Sequence, residues 1–152
     1  MRALSYVTST KGLMEMSAST TLNSMEMRFF TRPKLSEPSM VAAWPGMGYL
    51  AKTSGDYLRR RLNAKLFGEI RYVQSSILYK NSLAGLSYVR HRFYVAPRED
   101  LIICVGDSQP SIPEEAYRLA KRVVSVAERL KVKRVYTMAA YPSDYKLSLI
   151  HI

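Results

Sequence analysis

The sequence predicts an α/β fold of three layers: a mostly parallel sheet with helices on both faces and an antiparallel insert. Three observations carry this. Two apolar runs, Met40–Trp44 and Leu101–Val105, contain no charged residue, as expected of central strands covered on both faces. Each is followed by a turn-forming stretch and then by residues at helical spacing, which is the first half of a βαβ unit. Between the two units, residues 73–100 alternate at strand spacing around a break at Asn81–Gly85, which reads as an antiparallel excursion.

The first unit opens at Met40–Trp44 and turns at Pro45–Gly46–Met47–Gly48. Pro45 lacks an N–H and suits a strand end. The glycines supply the backbone freedom that an immediate strand-to-helix reversal needs. In the helix that follows, Leu50, Ala51, Ser54, Tyr57, Leu58 and Leu62 are predicted to face the sheet. The helix is expected to end near Asn63, a residue that tolerates left-handed geometry. Lys65–Tyr72 then reads as a strand parallel to the first, with Gly68 marking a bulge or a close approach. Ile77–Tyr79 and Leu86–Val95 are the strands of the insert, which Pro97 closes. Leu101–Val105 is the clearest buried strand. After the polar loop Gly106–Pro110, Ser111 is the predicted cap and Pro113 the first-turn residue of a helix to Leu130. The predicted apolar stripe of that helix is Ala116, Leu119, Ala120, Val123, Val124, Ala127 and Leu130. Residues 132–140 form the last predicted strand.

The chain's 152 residues suit one domain. Cys104, its one cysteine, lies in an apolar run and reads as a core thiol, which excludes an internal disulfide. One Cys and two His give no zinc-site pattern, and no cofactor is indicated. No stretch has the apolar length of a membrane span or the apolar core of a signal peptide, so a cytoplasmic location is the expectation. The net charge of +11 is spread along the sequence: five basic and three acidic groups in residues 1–38, ten and five in 39–112, eight and four in 113–152. The densest run, Arg59–Arg60–Arg61, falls late in a predicted helix, where cations suit the helix dipole. That argues against a nucleic-acid patch. Residues 1–27 read as a disordered leader or as translation from a start codon placed too early, with Arg28–Phe30 as a short edge strand after it. Leu147–Ile152, LSLIHI, matches the translation of a common sequencing-library transposon end. The domain is therefore expected to span residues 28–146 and to be incomplete at its C-terminus.

Four blocks in order, VAAWPGMG, NAKLFGEI, DLIICVGDSQP and KRVYTMAAY, resemble the proteasome assembly chaperone family of the second-subunit type, with its archaeal and bacterial relatives. The resemblance covers residues 28–145. It implies a fold like that of phosphorylases and nucleoside hydrolases, and a non-enzymatic role in protein assembly. It implies protein partners related to the proteasome, and a homo-oligomer when full length. Two features depart from the family. Tyr49–Leu50 stands where relatives usually have Asn–Val, and Leu149–Ile152 does not match the hydrophobic–tyrosine–any tail of some members.

In open α/β sheets ligands gather beyond the strands' carboxyl ends. Here those ends are Trp44–Gly48, Asp107–Gln109 and Tyr141–Asp144. The candidate interaction or ligand surface is therefore Trp44, Pro45, Gly46, Met47, Gly48, Tyr49, Asp107 and Gln109, with no catalytic residue and no metal ligand assigned. Gly46–Met47–Gly48 lacks a complete dinucleotide or P-loop pattern and reads first as a structural turn. Trp44 and Met47 suit a contact surface, since aromatics and Met are enriched at interfaces, or equally a core cap. Asp107 and Gln109 read first as residues that hold the loop and cap the helix after it. His91, without a placed carboxylate or serine, gives little support for catalysis. The competing reading is a hydrolase or phosphorylase-like enzyme that binds a small anionic or nucleoside ligand at these strand ends.

Overall fold

The computed structural model describes residues 25–80 and 83–140. Residues 1–24 of the expected leader, residues 81–82 of the predicted break and everything from Tyr141 on, including LSLIHI, lie outside the described residues. Six strands form one sheet: β1 (Glu26–Phe29), β2 (Ser39–Ala43), β3 (Lys65–Lys80), β4 (Leu83–Ala96), β5 (Leu101–Gly106) and β6 (Arg134–Thr137). Helix α1 (Leu50–Arg61) follows β2, and helix α2 (Pro113–Arg129) follows β5. The strand order is β1-β3-β4-β5-β2-β6.

The two apolar runs lie side by side in parallel, from Ser39 opposite Leu101 to Ala43 opposite Val105. β6 pairs with β2, also in parallel. The α/β class holds, but "mostly parallel" does not. The pairings β1–β3, β3–β4 and β4–β5 are all antiparallel. The physical reason is the length of the insert. The predicted strand Lys65–Tyr72 does not stop, because its polar break is absorbed by a register shift between Gln74 and Ile77. The result is one long hairpin, paired from Lys65 opposite Val95 to Lys80 opposite Leu83. Antiparallel strands close through a short turn where parallel ones need a crossover. β3 does run in the direction of β2, but β4 and β5 stand between them.

Strand pleating sends alternate residues to opposite faces. On one face Met40, Ala42, Ile102, Cys104 and Phe93 pack against Leu119, Val123, Val126 and Ala127 of α2. On the other, α1 lies so close over Ala43 and Val105 that a Cβ at Gly55 would stand 2.7 Å from Ala43 Cβ and 3.3 Å from Val105 Cγ2. This contact corrects the predicted face of α1. Its buried residues are the small ones, Ala51 and Gly55, because large side chains would hold the helix off the sheet. Leu50 and Tyr57 point to solvent at 53% and 59% exposure.

Further corrections concern termini and stripes. The cap position of α2 is Ile112, not Ser111, and no side chain caps it. Ala116, Ala120 and Val124 are exposed, while Val126 is buried in their place. β6 is only four residues long, and all four are exposed. β1 begins at Glu26, two residues before the predicted edge strand. Gly68 is both a bulge and a close approach: the register shifts beside it, and a Cβ there would meet Arg28 O at 2.8 Å.

Candidate functional site

The carboxyl ends of β2 and β5 meet at a corner built on Trp44. Its Nε1–H donates to His91 Nδ1 at 3.0 Å across to β4. His91 is fully buried and stacks on Tyr72 of β3, with ring centroids 5.7 Å apart and planes 11° from parallel. Gly106 makes room for this. A Cβ on it would stand 2.5 Å from both His91 Nδ1 and Trp44 Nε1, so any side chain there collides with the hydrogen bond itself.

The accepting Nδ1 places the neutral imidazole's proton on Nε2, which has no partner among the described residues. Burial pulls the His91 pKa down to about 4, with Arg92 adding to the shift and Asp107 opposing it. His91 is therefore neutral at physiological pH. Burial likewise lifts the Tyr72 phenol above its ordinary value. The Ser108 hydroxyl opposes that shift from nearby, but the two do not meet in full hydrogen-bond geometry. Ser108 Oγ, also buried, has no partner among the described residues. Burial pushes the Cys104 thiol far up, which removes it as a nucleophile.

The loop leaving Trp44 is braced from the other strand end. Gln109 Nε2 donates to Pro45 O at 2.7 Å. Tyr49 N donates to Gly46 O at 2.9 Å, closing a single 3-10 turn over Met47–Tyr49. Gly48 and Tyr49 both adopt left-handed geometry, at φ 63 and φ 54. Gly48 does so freely, whereas Tyr49 carries the steric penalty of a Cβ there. The turn pushes Met47 and Tyr49 outward, 60% and 64% exposed, next to the exposed Leu50.

The predicted residues thus separate into groups. Trp44, Pro45 and Gln109 are joined by direct contact. Met47, Tyr49 and the flanking glycines form the projecting loop. Asp107 belongs to neither: its carboxylate accepts from Arg92 at 2.9 Å, and its N–H donates to Arg90 O. Neither Asp107 nor Gln109 caps α2, which corrects that expectation. Beside Trp44 a cleft of about 210 Å³ opens between Gln109, Pro110 and the exposed Ala116–Ala120 side of α2.

Sequence reasoning gave Tyr72 and Gly106 no place in the site, weighed His91 only as a catalyst and set Leu50 against the sheet. His91 was detectable: Val89, His91, Phe93 and Val95 share one parity of β4, and the three apolar members mark it as the buried side. Among the described residues no three His, Cys, Asp or Glu side chains gather as metal ligands. No helix among them is long and apolar enough to cross a membrane.

The sequence model of the PAC2 family matches residues 40–151. Among solved structures, Pyrococcus furiosus PbaB, described as an archaeal proteasome activator, superposes with a TM-score of 0.66 at 22% identity, over 82% of this chain and 54% of PbaB. PbaA of the same organism, described as an archaeal homolog of proteasome-assembly chaperone, superposes with a TM-score of 0.53 at 17% identity. That match covers 79% of this chain and 53% of PbaA. These likenesses concern the fold, and the chain spans about half the length of each of the two. No curated protein matches the sequence.

Proposed function

This chain belongs to the PAC2 family, and on that premise we propose that it is a non-enzymatic assembly factor whose contact surface is the loop Trp44–Tyr49. The observation that carries the reading is a division of labour within one loop. Its base is fixed by the Trp44–His91 and Gln109–Pro45 hydrogen bonds. Its crest offers Met47, Tyr49 and Leu50 to solvent. A braced loop gives up little conformational freedom on binding, and exposed Met and Tyr are the side chains that interfaces favour. The partner is a protein of the proteasome or of a related assembly, in keeping with PbaB as a proteasome activator and PbaA as a homolog of proteasome-assembly chaperone.

The same reading extends to a three-layer domain of phosphorylase and nucleoside-hydrolase type, acting in the cytoplasm as a homo-oligomer. The placement of α1 and α2 against opposite faces of the sheet supports the three layers, and the fold type, compartment and oligomer rest on the family resemblance alone. The enzymatic alternative has less behind it. His91, the one histidine among the described residues, is wholly buried with Nδ1 already engaged. Mild purification of the protein from its source cells, with light scattering on the product, tests the proposal. A companion protein at fixed stoichiometry is expected. Recovery of only free chain, together with thermal stabilisation by nucleosides or phosphate, would overturn it.

A further inference from the structure

Part of the positive charge that is dispersed in sequence is gathered at one edge. β2, β3, β5 and β6 run in one direction, so their starts, the end of β4 and the ends of both helices share one edge of the molecule. At the opposite edge, where the corner lies, acidic groups stand beside the basic ones: Asp107 holds Arg92, and Glu114 and Glu115 open α2. In the middle of α1, Asp56 holds both Lys52 and Arg59. At the strand-start edge three cations have no such partner. Arg61, Lys65 and Arg98 are all exposed and line an open cleft of about 860 Å³. None of the three makes an ion pair among the described residues, whose pairs lie elsewhere. The nearby Asp100 carboxylate is occupied by backbone, accepting from the N–H groups of Ser36 and Glu37 at 3.0 and 2.6 Å. Lys131, Lys133 and Arg134 carry the basic edge on toward β6, where Glu37 offsets only Lys133, at 3.4 Å.

We propose that this basic cleft is a second docking surface, separate from the corner, for a partner-protein segment in which carboxylates alternate with apolar residues. Charge complementarity names the acidic part: unpaired cations at one edge attract and orient an acidic partner, and arginine forks grip carboxylates in bidentate fashion. The apolar part of the lining names the rest. Leu62 and Pro97 are apolar and suit aliphatic side chains. A single-stranded nucleic acid would need aromatic platforms for its bases, and the cleft has none among its lining residues. Glu99, standing among the cations, repels a continuous phosphate backbone but leaves room for spaced carboxylates.

The test uses the full chain and a fluorescein-labelled peptide of alternating glutamate pairs and leucines, followed by anisotropy. Binding is expected at about 50 mM salt and should weaken markedly by about 200 mM. The double reversal Arg61→Glu/Arg98→Glu should weaken it at least about tenfold. The reversal Lys121→Glu/Arg122→Glu on the exposed side of α2 changes net charge equally and should leave it within about twofold. Thermal melts check that each variant folds, and Lys65→Gln/Arg98→Gln serves if the reversal does not, with a loss of about threefold expected. Equal loss in the α2 variant would reduce the attraction to net charge and overturn the proposal. So would tighter binding of a DNA duplex or of phosphatidylserine vesicles to the same residues, or no peptide binding at low salt.

Discussion

Trp44 and His91, 47 residues apart in the chain, are joined by a 3.0 Å hydrogen bond that ties the end of β2 to β4 across β5. The bond is possible because β5 ends there in a glycine. Around it, a strand terminus that would otherwise fray becomes the fixed base of a projecting loop.

Gly106→Ala places a methyl group into that bond. Overpacking and loss of a buried hydrogen bond together should cost about 2–4 kcal/mol. Urea unfolding followed by circular dichroism measures this. Because Trp44 is the chain's one tryptophan, its emission should also shift as it is displaced from His91.

Trp44→Phe keeps most of the ring but removes the donor, leaving His91 Nδ1 buried and unpaired. The expected loss is about 1–3 kcal/mol, read as a lower urea midpoint with unchanged slope. His91→Gln retains an acceptor and should cost less.

The pH dependence follows from the burial of His91. Its folded-state pKa, about 4, lies below the ordinary histidine value of 6.5, so between these values the unfolded chain binds the extra proton. The contribution is fully present above pH ~6.5 and falls away as the pH drops toward ~4, by on the order of 3 kcal/mol in all. Stability curves of the native chain and of His91→Gln should therefore converge on acidification. Parallel curves across that window would show that His91 is not held neutral.

Gly55→Ala opposes two effects. Alanine favours the helix by about 1 kcal/mol, but its methyl meets Ala43 Cβ where the helix lies on the sheet. The clash should win, for a net loss of about 1 kcal/mol, and the second change Ala43→Gly should recover part of it. A double-mutant cycle measures the coupling.

The visibility of these features in the sequence varied with their physical origin. Local periodicity and turn chemistry located both apolar strands, both helices and the corner loop. Strand neighbours were less legible, because whether Lys65–Tyr72 stops or runs on to Lys80 depends on a bulge that only cross-strand pairing with β4 stabilises. The face of α1 was misread for a related reason: helical spacing groups Leu50 with Tyr57, while the close approach at Gly55 turns both outward. In the site, Trp44 and Gln109 were identified from their places at strand ends. Their actual ties, to His91 and to the Pro45 carbonyl, are long-range contacts that no local pattern encodes.

Tyr49→Gly separates stability from function. It relieves a left-handed strain of about 1–2 kcal/mol against a glycine entropy cost of about 0.5–1 kcal/mol, so stability should be unchanged or rise by up to about 1.5 kcal/mol. If the crest of the loop is the contact, partner retention should still fall.

The loop is tested most directly by comparing the proteins retained by the native chain and by Met47→Glu/Tyr49→Ser/Leu50→Gln, each purified in parallel from source cells. All three side chains are exposed, so both forms should melt at closely similar temperatures. The account predicts that a stoichiometric companion accompanies the native chain and is absent from the variant. Retention of the same companion in the same amount by both would contradict it.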